Sequence, residues 1–134
     1  MAIENSSTEY ISKVIEAQLA YFHSGATLNI AFRKQMLQQL LDALRKWEKP
    51  LAEALWHDLH KSYEEAYMTE FGILYGEIEN HIKHLSSWAT PKKVGAPLRI
   101  FPSRSKVVSE PLGNTLIIAP WNYPVQLLIN PLIG

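Results

Sequence analysis

The sequence predicts a mainly α-helical chain that closes with a short β-ribbon and the first β-α unit of an α/β fold. Three observations carry this expectation. Apolar residues recur at helical spacing through residues 1–90. Prolines at 91, 97, 102 and 111, with Gly95, then break the chain into turns and extended pieces. Finally Leu116, Ile117 and Ile118 form an unbroken apolar run, as in a strand covered on both faces, and Pro124 opens another apolar helical pattern.

The first helix begins at Ser6-Ser7-Thr8-Glu9, which fits a capping box with Ser6 accepting from the Glu9 amide. Its stripe is Ile11, Val14, Ile15, Leu19 and Phe22, and it ends near Ser24-Gly25. A second helix is expected from about Asn29 to Lys49, with Ile30, Met36, Leu37, Leu40, Leu41, Leu44 and Trp47 as its apolar stripe. Pro50 breaks it and opens a third helix, Leu51 to about His60. The fourth spans Tyr63 to Trp88, showing Tyr67, Phe71, Leu74, Tyr75, Ile78, Ile82 and Leu85 on one face. Glu64, Glu65, Glu70, Glu77 and Glu79 are read as the solvated polar side of that helix rather than as paired catalytic carboxylates. Gly72 and Gly76, four apart, are weak evidence for close helix packing.

Beyond Pro91, Leu98–Phe101 and Lys106–Ser109 are candidate strands that pair around Pro102–Ser105. Asn114 to Ala119 is the buried strand, and the helix from Pro124 is apolar nearly all round. The expected organisation is a helical region at 1–90, an extended segment at 91–111 and a strand with the start of a helix at 112–134. A buried parallel strand needs a neighbour reached through a crossover helix. The sequence starts that sheet without finishing it, so we expect a piece of a longer protein. We also expect residues 115–118 and the helix after them to be exposed, disordered or paired between chains, so self-association is plausible on this reading.

Composition bounds the function. The chain has 47% hydrophobic and 19% charged residues, as a globular protein does. Thirteen basic residues balance thirteen acidic ones, so charge gives no argument for nucleic acid. The absence of cysteine removes disulfides, thiolate zinc sites and a cysteine nucleophile from this chain. MAIENSSTEY lacks the basic start and apolar core of a signal peptide, so the expected location is cytoplasmic. Prolines at 120, 124 and 131, with Asn122, Gln126 and Asn130, argue against a membrane span in the apolar tail.

Two histidine pairs raise metal binding: His57 with His60, and His81 with His84, each three apart. No Glu stands three residues before any of the five histidines, so the di-iron bundle pattern is missing. Surface histidines explain the same letters, and no metal site is expected. No Gly-x-Gly-x-x-Gly or phosphate loop is present.

The turn Ala119-Pro120-Trp121-Asn122-Tyr123-Pro124 remains. Chemistry commonly sits at the carboxyl end of a strand where it meets the next helix. Asn122 can donate its side-chain N–H₂ to an oxygen that gains negative charge, with Trp121 and Tyr123 walling the site. It can equally cap the helix that begins at Pro124, which is the commoner use of the residue. Residue types alone leave both readings open.

Glu110-Pro-Leu-Gly113, the apolar strand, and Pro120-Trp-Asn-Tyr-Pro124 before an apolar helix resemble the aldehyde dehydrogenase superfamily. Trp-Asn-Tyr-Pro, with Asp58-Leu-His-Lys61 upstream, is similar to the class 3 or fatty-aldehyde branch. The resemblance implies an α/β parent with a Rossmann-type cofactor domain, of which this chain is the N-terminal part. It implies that Asn122 is half of an oxyanion hole. Ile118, Ala119, Pro120 and Trp121 then line NAD or NADP, and Tyr123 faces the channel of an aldehyde substrate. A homodimeric parent is also implied. The family's cysteine nucleophile, general-base glutamate, ribose-binding lysine and Gly-x-Thr-x-x-Gly segment lie beyond Gly134, so this chain alone is expected to be inactive. The alternatives from other classes are a stand-alone helical interaction module and a histidine-pair metal-binding domain.

Overall fold

A computed structural model describes residues 5–134; the first four residues of the expected helical region lie outside the described residues. Helix α1 is Thr8–His23. Its N-cap is Ser7, whose hydroxyl oxygen accepts from the Tyr10 N–H; the capping box expected at Ser6 does not form, because the residue three after Ser7 is Tyr10, with no carboxylate to reach back. Glu9 pairs instead with Lys13 at 2.8 Å, one turn along and well exposed, a contact of little energetic weight. No residue of α1 is buried; Ile11, Ile15 and Leu19 leave much of its apolar stripe open.

A short 3₁₀ turn, Ala26–Leu28, leads to Asn29, which caps α2 by accepting from the Phe32 N–H. Helix α2 runs without interruption from Ile30 to Leu59. The expected break at Pro50 does not occur. Proline removes one helical hydrogen bond and crowds the preceding turn, but the apolar stripe keeps one phase across it. Leu41 and Leu44 before Pro50, and Ala52 and Leu55 after it, all enter the same core. Packing on both sides holds the helix through its defect.

The chain reverses at His60, whose left-handed backbone (φ 53°) closes α2. Helix α3 follows at Tyr63–Ala66, capped by Ser62, then a wide π-type turn at Tyr67–Phe71, then α4 at Gly72–Trp88. In the wide turn the Gly72 N–H reaches the Tyr67 carbonyl. A Cβ on Gly72 would lie 3.0 Å from that oxygen, so glycine suits the wide turn. Gly76 has nothing within 4 Å of where its Cβ would be, so the helix-packing reading of the glycine pair does not hold.

Helices α2 and α4 lie antiparallel. Arg45 meets Glu79 at 2.8 Å, while Glu48 accepts from the hydroxyls of both Tyr75 and Tyr63. Burial, and then the hydrogen bond to Glu48, pushes the Tyr75 phenol well above its ordinary value. The core between the helices comprises Leu41, Leu44, Ala52 and Leu55 with Ala66, Phe71, Leu74, Tyr75 and Ile78.

After α4 comes a two-stranded antiparallel ribbon, β1 (Lys92–Val94) with β2 (Ser105–Val107), in which Lys93 stands opposite Lys106. The ribbon is as expected, but its first strand is not. Leu98–Ile100 is a 3₁₀ turn instead. Pro97 and Pro102 bound that segment and have no N–H to give a ladder at its ends. Lys92–Val94 is a poor strand by apolar alternation, yet lysines are at home on an exposed ribbon.

Residues 108–120 form no strand or ladder. Gly113, at φ 103°, turns the chain beside Phe22, and Asn114 donates its amide to the Ile15 carbonyl at 3.3 Å. Leu116 and Ile118 are exposed, as expected of a strand without a neighbour. The helix after them departs from expectation. Helix α5 (Pro124–Ile133) docks on α4 and the wide turn, with Val125, Ile129 and Ile133, four residues apart, facing the core. Leu128 and Leu132 remain exposed on its other side.

Candidate functional site

The entry to α5 is fixed by two residues from far upstream. Lys61 lies between the end of α2 and the start of α3, with a helix cap on either side of it. The His60 N–H bonds to the Trp56 carbonyl at 2.9 Å, and the Ser62 hydroxyl accepts from the Glu65 N–H at 3.2 Å. This sharp connection turns the Lys61 side chain inward. Glu70 comes from the wide turn and is fully buried.

Neither charge is tolerable alone out of water, where desolvation costs several kcal/mol per ion. They meet at 2.6 Å, Lys61 Nζ on Glu70 Oε1. The other carboxylate oxygen accepts from the Val125 N–H at 2.8 Å and the Gln126 N–H at 3.2 Å. Those are two of the unpaired donors that every helix start exposes, and Pro124 ahead of them has none to offer. A carboxylate also suits the positive end of the helix dipole. The Lys61 ammonium has two further contacts. It donates to the Asn122 carbonyl at 3.1 Å and lies 4.2 Å from the centre of the Tyr123 ring.

Asn122 is not the helix cap. Tyr123 occupies the capping position without a side-chain bond, and Glu70 takes the helix amides. Asn122 stands one residue too early, and its side-chain amide makes no hydrogen bond among the described residues. Its main chain is tethered at the carbonyl while its side chain is exposed.

Ile118 and Trp121 are about as exposed, at 84% and 86%, and Pro120 is exposed too. Ala119 is half-buried, and Tyr123 shows 38% of its surface while packing against Lys61. The main chain of residues 118–121 engages no hydrogen bond among the described residues. The run therefore offers free peptide groups and apolar surface beside an unspent amide.

Glu70 is the residue that sequence reasoning misassigned. Glu64, Glu65 and Glu79 are exposed as expected, and Glu77 is half-buried, holding His81. Glu70, however, stands three after Tyr67 and four before Leu74, inside the apolar stripe. That spacing was the available signal. Lys61 carried no local signal beyond its place in the Asp-Leu-His-Lys segment.

The histidines do not assemble. His60 has left helical geometry, so it does not share a face with His57. His81 Nδ1 lies 3.0 Å from the Glu77 carbonyl, and His84 Nδ1 lies 2.9 Å from that of Asn80; both rings contact Trp88. Among the described residues no group of three or more potential ligands gathers. A concavity of about 460 Å³ lined by Lys49, Ala52, Glu53, Trp56, His57 and Tyr63 contains no residue of the 118–123 turn. No helix of the described residues is long and apolar enough to cross a membrane.

Comparison with known proteins bears on this turn and on the whole chain. The model of the aldehyde dehydrogenase family matches residues 1–133. A 4,4'-diaponeurosporen-aldehyde dehydrogenase of Staphylococcus aureus is 45% identical over 115 residues, covering 86% of this chain and 25% of that protein. Aldehyde dehydrogenase family 3 member F1 of Arabidopsis thaliana is 32% identical over 126 residues, covering 94% of this chain and 26% of that protein. Among solved structures, the substrate-bound state of Staphylococcus aureus AldH superposes with a TM-score of 0.89 at 42% identity, covering 92% of this chain and 27% of that one. The chain thus spans about a quarter of the length of the curated relatives it matches. Sequence, family model and three-dimensional likeness agree: the chain belongs to the aldehyde dehydrogenase family.

Proposed function

We propose that this chain is the N-terminal part of an NAD(P)-dependent aldehyde dehydrogenase and supplies the amide that holds the reacting oxygen. The observation that carries the proposal is the exposed, unpaired side chain of Asn122 on a main chain tied to Lys61. The chain has no cysteine, so the nucleophile comes from outside it. In this reading a cysteine thiolate attacks the aldehyde carbon, the carbonyl electron pair moves to oxygen, and the Asn122 N–H₂ donates to that oxyanion. Collapse of the oxyanion breaks the C–H bond and leaves a thioester, which water cleaves to the acid. NAD or NADP, when bound, accepts the hydride.

Ile118, Ala119, Pro120 and Trp121 would hold the cofactor, and the unengaged main chain of 118–121 together with exposed Ile118 and Trp121 fits that use. Tyr123 would border the aldehyde channel. Residues 1–90 and 91–111 act as the helical and extended supports of the cofactor domain, and 112–134 as its first strand and helix. The remainder of the enzyme would then cover Leu116, Ile118 and the open face of α1. A cytoplasmic homodimer with an aldehyde as its small-molecule partner completes the reading, on family likeness alone.

Asn122→Ala in the full-length enzyme tests the proposal. Loss of one oxyanion donor is expected to lower kcat by roughly 10²–10³, with the aldehyde KM little changed. An unchanged kcat would overturn the role assigned to Asn122.

A further inference from the structure

We infer that the buried Lys61–Glu70 pair is a positioning device for Asn122, setting where its amide donors stand when the aldehyde oxygen gains charge. The inference rests on the oxyanion reading of Asn122. It goes beyond that reading by assigning work to two buried residues beneath the turn.

The geometry is specific. Four of the five consecutive residues from 122 to 126 are held by one ion pair: the Asn122 carbonyl and the Tyr123 ring by Lys61, the Val125 and Gln126 amides by Glu70. The exception is Pro124, which has no N–H to give. The pair itself cannot drift. Glu70 is packed into the core between Ala66, Phe71 and Leu74 along the chain, and Lys61 is clamped between two helix caps.

Asn122, by contrast, belongs to an exposed bend, and nothing on its own side chain fixes it. A donor free to wander would have to be ordered during each turnover. Preorganised donors avoid that cost, which is the source of their effect. Placing a fixed charge pair beneath the loop orders the main chain at Asn122 while leaving its side chain unspent. A helix cap made by Asn122 itself would have consumed that side chain.

A buried pair can also be merely structural, so the test separates the two. Single-turnover hydride formation would be measured in the full-length enzyme that carries this segment, with NAD(P)⁺ and a straight-chain aldehyde. The variants are Lys61→Met, Glu70→Gln and Asn122→Ala, with each of the first two also combined with the third. Displacing a reacting group by about 1 Å can cost ~10²-fold, and we expect each of Lys61→Met and Glu70→Gln to slow the step by about tenfold to a hundredfold on that basis. Cofactor and aldehyde affinities should stay within about threefold, and Lys61→Arg should restore most of the rate.

The double variants decide the matter, because residues that act through one another are not additive. In the Asn122→Ala background, Lys61→Met and Glu70→Gln are expected to slow the step by less than about twofold. If they retain their full effect there, or if neither slows the step while Asn122→Ala does, the positioning role is overturned and the oxyanion reading survives. If Asn122→Ala is without effect, the oxyanion reading fails and this inference fails with it. Should Lys61→Met not fold, Glu70→Gln, which keeps the shape of the carboxylate, carries the same comparison.

Discussion

Residues 114–119 and α5 adjoin in sequence, are similarly apolar, and have opposite fates. The first is largely exposed with its main chain unpaired; the second is docked against α4 and capped by Glu70. A helix satisfies its own main chain internally and needs only an apolar stripe and partners for its ends. A strand satisfies nothing by itself, because its N–H and C=O groups need a neighbouring strand. Docking α5 requires only the helices already present, whereas completing residues 114–119 requires another strand.

The comparison can be broken most severely at Glu70. Glu70→Ala leaves the Lys61 ammonium buried without its partner and frees two helix amides. Loss of about 3–5 kcal/mol is expected, as for other broken buried pairs, read from urea denaturation. Val125 and Gln126 should then exchange their amide protons as fast as residues 114–119 do. Retained protection there would show that α5 docks without the carboxylate.

Ile133→Ala attacks the other end of the same helix, where the side chain is 5% exposed. A cost of about 2–4 kcal/mol follows from deleting a buried branched side chain. A loss well below that range would mean that the last turn of α5 is only loosely seated.

Tyr75 sharpens the comparison on the α2–α4 side. Burial and Glu48 raise its phenol above the ordinary value, so the folded state favours the neutral form. That contribution is fully present below about pH 10, the ordinary tyrosine value, and is lost as pH climbs from there toward the higher folded value. The denaturation midpoint should therefore fall at alkaline pH. Tyr75→Phe should flatten that fall while costing about 0.5–1.5 kcal/mol at neutral pH for the lost hydrogen bond.

The smallest effect belongs to the open segment. Leu116→Ser and Ile118→Ser should change stability by no more than about 0.5 kcal/mol, since both side chains are already in water. A larger loss would reveal packing that the exposed segment does not display.

Much of this molecule was legible in its letters, and the failures have identifiable causes. The break expected at Pro50 overrated local propensity, because the stripe Leu41, Leu44, Ala52, Leu55 keeps its phase across the proline. The first ribbon strand was sought among apolar residues, whereas an exposed ribbon has no core to face and tolerates lysines. Glu70 was read by charge rather than by its place between Tyr67 and Leu74. The Asn122 turn, in contrast, was singled out correctly as a bend before a helix, although its role as a cap was not borne out.

By itself the sequence determined the helical periodicity, the turns at proline and glycine, the apolar run before Pro124, and the family motif around Asn122. These are local properties, set by side-chain size, backbone freedom and spacing within a few residues. Only the tertiary structure decided that Glu70 caps α5 and that Lys61 holds the Asn122 carbonyl. Those contacts join residues 55 and 61 positions apart. A buried charge takes its meaning from the partner that folding brings to it, and that partner is not written beside it in the chain.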